Sequence, residues 1–172
     1  MVISLLALAV LSPIIILVAI ILKLIGNGSI IFKSKRMGLN KKTLTVYKFR
    51  TMYLNSDKLS PISIANDIRI TPFGKLLRKS KVDELPQLFN VINGSMNLIG
   101  PRPITKAEKF FFNKEEYDLL NSIRPGITGL WQVSGRSSIP WPERKDIEIK
   151  YVKNKSFLLD CRILFKTIFV VL

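Results

Sequence analysis

The sequence predicts a mixed α/β, α-rich fold whose N terminus docks on a membrane. Three observations lead there. Residues 1–22 form an apolar run interrupted only by Ser4, Ser12 and Pro13. Two segments of strand character, Ser29 to Lys33 and Thr43 to Met52, flank a loop with Gly38 and Asn40, as in a hairpin. Beyond them, short segments with apolar residues at helical spacing follow one another to the C terminus.

Composition narrows the chemistry. The 172 residues suffice for one domain with a core. Lys and Arg number 27 against 12 Asp and Glu, a net charge of +15, which calls for an anionic partner. With 48% hydrophobic residues, an anionic lipid surface or phosphorylated substrate fits better than nucleic acid. Histidine is absent, which excludes Ser-His-Asp and Cys-His catalysis and any His-ligated metal. A single cysteine, Cys161, excludes an internal disulfide and a cysteine-built zinc site. Carboxylates, Lys/Arg, hydroxyls and an oxygen-held cation remain.

Taken in order, residues 1–22 make a helix of about 33 Å at 1.5 Å per residue, just enough to span a bilayer. No basic stretch precedes the run, so it is a poor signal peptide. Ser12-Pro13 falls at its middle. Proline deletes one helical hydrogen bond and predicts a kink there, with Ser12 able to satisfy the freed carbonyl. A spanning helix and a re-entrant helix-break-helix both satisfy this pattern. From Lys23 to Lys58 there are nine basic residues (Lys23, Lys33, Lys35, Arg36, Lys41, Lys42, Lys48, Arg50, Lys58) and one acid, Asp57. That bias favours a cytoplasmic position against anionic lipid heads.

Gly26 to Gly28 reads as a turn and Leu54 to Ala65 as a flexible polar loop. Thr71-Pro72 starts a short helix, with threonine as cap and proline at its first position. Lys81 to Asn90, KVDELPQLFN, reads as a helix opened by Asp83 and Glu84 and stopped by Asn93-Gly94. Gly94 to Pro103 is a Gly/Pro-rich loop. Thr105 and Glu108 form a capping box for a helix to about Ser122. A short strand is expected over Thr128 to Val133, a helix from Trp141-Pro142 to about Asn154, and an amphipathic helix over Ser156 to Leu172. The last helix suits either a core or a membrane interface.

Neither G-x-G-x-x-G nor G-x-x-x-x-G-K-[ST] occurs, so nothing supports a Rossmann or P-loop site. What stands out is the Asp83-Glu84 pair. As an ordinary N-cap, Asp83 needs no further explanation. Yet arginines fixed by prolines and glycines surround the pair in sequence: Arg78, Arg102 between Pro101 and Pro103, and Arg124 and Arg136 flanking RPGITG. Such loops hold a guanidinium still for bidentate phosphate contact. A carboxylate beside a bound phosphate can hold Mg²⁺, act as a base, or attack phosphorus.

These residues also match a family pattern. The chain resembles the small monotopic phosphoglycosyl transferases, the bacterial sugar transferases that begin lipid-linked glycan assembly. The resemblance rests on the apolar segment with Ser12-Pro13, YKFRTM at 47–52, NDIRITPFGKLLRKSKVDELPQLFNVINGSMNLIGPRP at 66–103, RPGITGLWQVSGR at 124–136 and YVKNKSFLLD at 151–160. It implies a monotopic enzyme with a re-entrant membrane helix over residues 1–25 and an interface-associated catalytic domain over 26–172. It implies transfer of a sugar-1-phosphate from a UDP-sugar to polyprenyl phosphate, with release of UMP. Asp83 matches the nucleophile, Glu84 the Mg²⁺ ligand, Arg78 a phosphate contact and Arg102 a nucleotide-linked position. Lys48, from the basic stretch, and Arg136, beside the RPGITG loop, are expected as further substrate-binding residues. Ser12-Pro13 matches the membrane break. The expected location is the bacterial inner membrane, catalytic domain facing the cytoplasm, with no nucleic acid partner and homo-oligomerisation left open. The family carries a basic stretch with an aspartate before the apolar segment and a polar tail at the end, so both ends here are expected to be short or truncated. Glu148 stands where the family pattern has aspartate. The competing reading is a non-catalytic, basic, membrane-anchored binding or scaffolding protein, which leaves the acid pair and the Pro-Arg-Pro loop unexplained.

Overall fold

The computed structural model of the chain describes residues 2–26, 28–54, 56 and 67–171. The loop expected over Leu54 to Ala65 lies almost wholly outside the described residues. The fold is mixed α/β with seven α-helices and four short strands among them.

Helix α1 (Val2–Ile25) runs through Pro13 as one element. The break expected at Ser12-Pro13 is therefore local, one missing backbone bond rather than an interruption into two helices. Pro13 has no N–H for the Ala9 carbonyl, and the Ser12 hydroxyl donates to that carbonyl at 2.8 Å instead. Most of α1 is exposed apolar surface, Val10 and Leu24 above all. Its C-terminal half supplies its hydrophobic core residues. Val18 and Leu22 pack with Phe49 and Leu77, with Phe73 and Val82 alongside.

Strands β1 (Ile31–Met37) and β2 (Thr43–Phe49) form the expected hairpin, antiparallel with Ser34 opposite Val46. It runs further along β1 and stops sooner on β2 than sequence suggests. Alternation turns Leu44 and Val46 inward onto Val91 and Met96. The same alternation places Lys48 next in that inward row.

Helix α2 (Pro72–Lys79) begins as expected, the Thr71 hydroxyl accepting from Gly74 N at 2.9 Å. The next segment differs from expectation. Val82–Gln87 is a 3-10 helix that passes into α3 (Leu88–Ile92). Its N-cap is Lys81, held at φ 59°, with no capping side chain. Asp83 sits inside the first turn and is not the cap, because Lys81 already makes the turn into the helix. Gly94 closes the segment at φ 75°, where a side chain would be strained.

The loop expected over Gly94 to Pro103 contains β3 (Asn97–Ile99), and the strand expected over Thr128 to Val133 falls earlier, as β4 (Gly126–Thr128). The two pair in parallel, Asn97 with Gly126 and Ile99 with Thr128. A Cβ on Gly126 would collide with the Gly100 backbone, so that glycine is demanded by close approach. Residues 130–134 become helix α5 (Leu130–Ser134).

The Thr105–Glu108 box forms, with bonds of 2.6 and 3.1 Å, but it opens only a 3-10 turn over Ala107–Phe111. A second box, Asn113 with Glu116, opens α4 (Lys114–Leu120). Helix α6 (Glu143–Lys153) follows Trp141-Pro142 as expected. A third core cluster joins Ile104, Phe112, Tyr117, Leu120 and Ile149. Helix α7 (Phe157–Val171) is tied inward by Ile163, by Tyr151 Oη donating to Asp160 at 2.7 Å, and by a 2.8 Å Thr128–Thr167 bond. Its apolar stripe, with Leu158, Phe165, Ile168 and Phe169, faces outward. That exposure fits the interface reading and not the core one.

Candidate active site

The site is assembled from three directions: β2, the 3-10 helix before α3, and the loop after β3. Asn90 joins the first two. It is almost fully buried, its Oδ1 accepting from Tyr47 N at 3.1 Å and its Nδ2 donating to Thr45 O at 2.8 Å. This fixes α3 against β2 and so sets Lys48 beside the acid pair. Sequence reading missed Asn90. A lone asparagine on an apolar helix face was its only signal.

Glu84 is clamped. Lys48 Nζ lies 2.6 Å from its Oε1, and Arg102 Nη2 lies 3.2 Å from the same oxygen. Burial by itself would push the carboxyl up, but Lys48 and Arg102 overcome it and hold Glu84 well below the usual carboxylate range. Burial acts on Lys48 too, pulling its ammonium below the usual lysine range against the attraction of Glu84. Asp83 next to it is buried, yet its carboxylate makes no hydrogen bond or ion pair among the described residues. Burial pushes its carboxyl above the usual range. Lys48 pulls it back, Glu84 adds to the rise, and Arg78 and Lys81 act with Lys48. Two adjacent acids thus sit in unlike environments, one locked as a structural anion and one open.

Arg78 comes from the last turn of α2, its Nε donating to Thr51 Oγ1 at 2.8 Å. Arg136, at φ 55°, donates its Nε to Gln132 O at 3.1 Å and stands within the field of Glu84 and Arg102. Lys81, which sequence reading had not singled out, is a second left-handed cation whose charge is felt by both acids. Arg124 is exposed and joins none of these contacts. Ser12 and Pro13 belong to α1 and take no part in the cluster.

Arg102 is held by its backbone as well. Its N–H donates to both Glu148 oxygens at 3.2 Å. Glu148 is completely buried, and desolvation pushes its carboxyl up to about 7 despite Arg144 nearby. Behind it, Glu108 pairs with Arg144 at 3.1 Å and with Arg36 at 3.4 Å. A small cleft lined by Arg36, Val46, Lys48, Gln87, Arg102 and Pro103 adjoins the clamp.

No group of three or more His, Cys, Asp or Glu side chains with metal-site geometry occurs among the described residues. Mg²⁺ is commonly held by one or two carboxylates together with substrate phosphates, and the acid pair fits that pattern. The Glu84 Oε2 atom makes no hydrogen bond among the described residues, both cations being on Oε1.

The whole chain, residues 1–172, matches the family model described as bacterial sugar transferase. Among its relatives, the exopolysaccharide production protein ExoY of Sinorhizobium fredii is 40% identical over 96% of this chain and 80% of its own length. The undecaprenyl-phosphate galactose phosphotransferase of Salmonella typhimurium is 42% identical over 85% of this chain but 34% of its own length. The UDP-glucose:undecaprenyl-phosphate glucose-1-phosphate transferase of Klebsiella pneumoniae is 38% identical over 98% of this chain and 38% of its own length. This chain therefore spans four fifths of the first relative and a little over a third of the other two. It belongs to the bacterial sugar transferase family.

Proposed function

We propose that this enzyme transfers a sugar-1-phosphate from a UDP-sugar to polyprenyl phosphate, with release of UMP, as the first membrane step in building a bacterial glycan. The observation that carries the reading is the asymmetry of the acid pair. Glu84 is locked by Lys48 and Arg102, while the buried Asp83 carboxylate makes no hydrogen bond or ion pair among the described residues. A carboxylate left open in a cationic pocket suits attack on phosphorus. An Asp83 oxygen bonds to the sugar-bearing phosphorus as the bond from that phosphorus to the UMP oxygen breaks. UMP leaves with the electron pair, giving an aspartyl phosphosugar. A phosphate oxygen of the polyprenyl phosphate then attacks the same phosphorus, and the Asp83 carboxylate is regenerated. Arg78, Arg102, Lys48 and Arg136 offset the anionic charge of both substrates. Mg²⁺ held through Glu84 would neutralise phosphate charge that otherwise repels the carboxylate.

The membrane disposition belongs to the same proposal. We place α1 as a re-entrant helix in one leaflet, with the outward apolar face of α7 at the same interface and the catalytic domain in the cytoplasm. The basic segment after α1 supports the cytoplasmic side, and Pro13 at the middle of the helix, where a bend costs least, supports re-entry.

The test is UMP release from detergent-extracted protein given polyprenyl phosphate and a panel of UDP-sugars. Release with at least one sugar, abolished by Asp83→Asn, is expected. Absence of release with every sugar, or full activity in Asp83→Asn, would sink the proposal.

A further inference from the structure

Arg102 must keep its guanidinium on Glu84, but its backbone tethers do not dictate where a long side chain points. Pro101, Pro103 and the two Glu148 bonds fix the main chain only. The side chain lies instead against an aromatic column. The Arg102 guanidinium carbon stands 5.5 Å from the ring centroid of Trp131. Arg144 lies 4.3 Å from that ring and 4.4 Å from the ring of Trp141. Trp141 in turn stacks on Phe111, with centroids 4.4 Å apart and planes within 4°. The order is Phe111, Trp141, Arg144, Trp131, Arg102, Glu84: from Trp141 onward rings and guanidiniums alternate, and the column ends on Glu84.

Resting on the transferase reading, we infer that Trp131 is a positioning residue, the wall that holds the Arg102 guanidinium on Glu84. Three features of the site support this. Trp131 is buried on α5, and α5 is wedged between α6 and α7, so the ring has little room to move. Arg144 on the same ring is anchored to Glu108 at 3.1 Å, which keeps that guanidinium from competing for Glu84. The indole N–H makes no hydrogen bond among the described residues, so the contact uses the π face and not the ring nitrogen. A phenyl ring supplies the same kind of face; an aliphatic side chain of similar bulk does not.

The experiment is a kinetic cycle over Trp131→Leu, Trp131→Phe, Arg102→Ala and the Trp131→Leu/Arg102→Ala pair, measuring UMP release against donor concentration. A guanidinium–ring contact of this kind predicts a loss of about tenfold in kcat/KM for Trp131→Leu, recovered to within about threefold by Trp131→Phe. With Arg102 already removed, Trp131→Leu should cost less than about twofold more, since residues acting through one another are not additive. An undiminished Trp131→Leu penalty in the Arg102→Ala background, or a Trp131→Phe as impaired as Trp131→Leu, would overturn the inference. A second arm needs no activity. The chain has two tryptophans, so in Trp141→Phe the emission comes from Trp131 alone. Arg102→Ala should change that emission, and an unchanged spectrum would remove the contact and the inference with it. A parent that releases no UMP would defeat the transferase reading, while the emission arm still decides whether Trp131 holds Arg102.

Discussion

Asp83 and Glu84 are neighbours in sequence with opposite fates. Glu84 draws both cations, and removing one leaves a buried anion half-compensated. Lys48→Met should therefore cost on the order of 3 kcal/mol of stability, read as a lowered denaturant midpoint. Glu148 gives a pH-dependent counterpart. Its carboxyl titrates near 7 when folded, against an ordinary value of 4.5. Between these values the folded state holds a proton that the unfolded state has released, so stability falls as pH rises through the window. The loss is on the order of 3 kcal/mol. Glu148→Gln should flatten that part of the profile in denaturant unfolding from pH 5 to 8; an unchanged slope would show that the carboxyl titrates normally. Much of this scale was legible in sequence. The acid pair and the Pro-Arg-Pro arginine stand out in the sequence, and the structure brings Arg102 and Lys48 onto Glu84. The capping role for Asp83 was not right, because Lys81 adopts φ 59° and makes the turn in its place. Local composition does not announce a left-handed lysine. Asn90 and Trp131 were missed because their roles depend on partners about 45 and 30 residues away in the chain.

Elements were legible where a terminus carried its own chemistry. Thr71-Pro72 starts α2 as read, and the hairpin pairs as read. The reading failed where two signals competed. Thr105 and Glu108 make a sound box, yet Asn113 and Glu116 make another eight residues on, and the chain takes both. The first is used up in a single turn. Asn113→Ala should cost about 1 kcal/mol through loss of the α4 cap, seen as a small drop in thermal midpoint. The β3–β4 pair was hidden for another reason. Three-residue parallel strands bury few side chains and show no period, and the close approach of Gly100 and Gly126 specifies them.

On the scale of the whole molecule, the exposed apolar surfaces of α1 and α7 ask for a lipid environment, and α1 is the one described helix long and apolar enough to cross a membrane. A spanning and a re-entrant helix differ in where the N terminus lies. With Cys161 replaced by serine, single cysteines at Ile3 and Lys33 should both react with an impermeant maleimide from the cytoplasmic side. Labelling from opposite sides would establish a spanning helix. Pro13→Ala restores the backbone N–H toward Ala9 and should shift the population toward spanning.

Covalent transfer of the sugar-phosphate through Asp83 would leave a mass that can be measured. Incubating the protein with its UDP-sugar in the absence of polyprenyl phosphate, then digesting it and measuring peptide masses, tests this directly. One phosphosugar is expected on the peptide that contains Asp83, lost on later addition of polyprenyl phosphate and absent from Asp83→Asn. Release of UMP that requires both substrates together, with no adduct on that peptide, would contradict it.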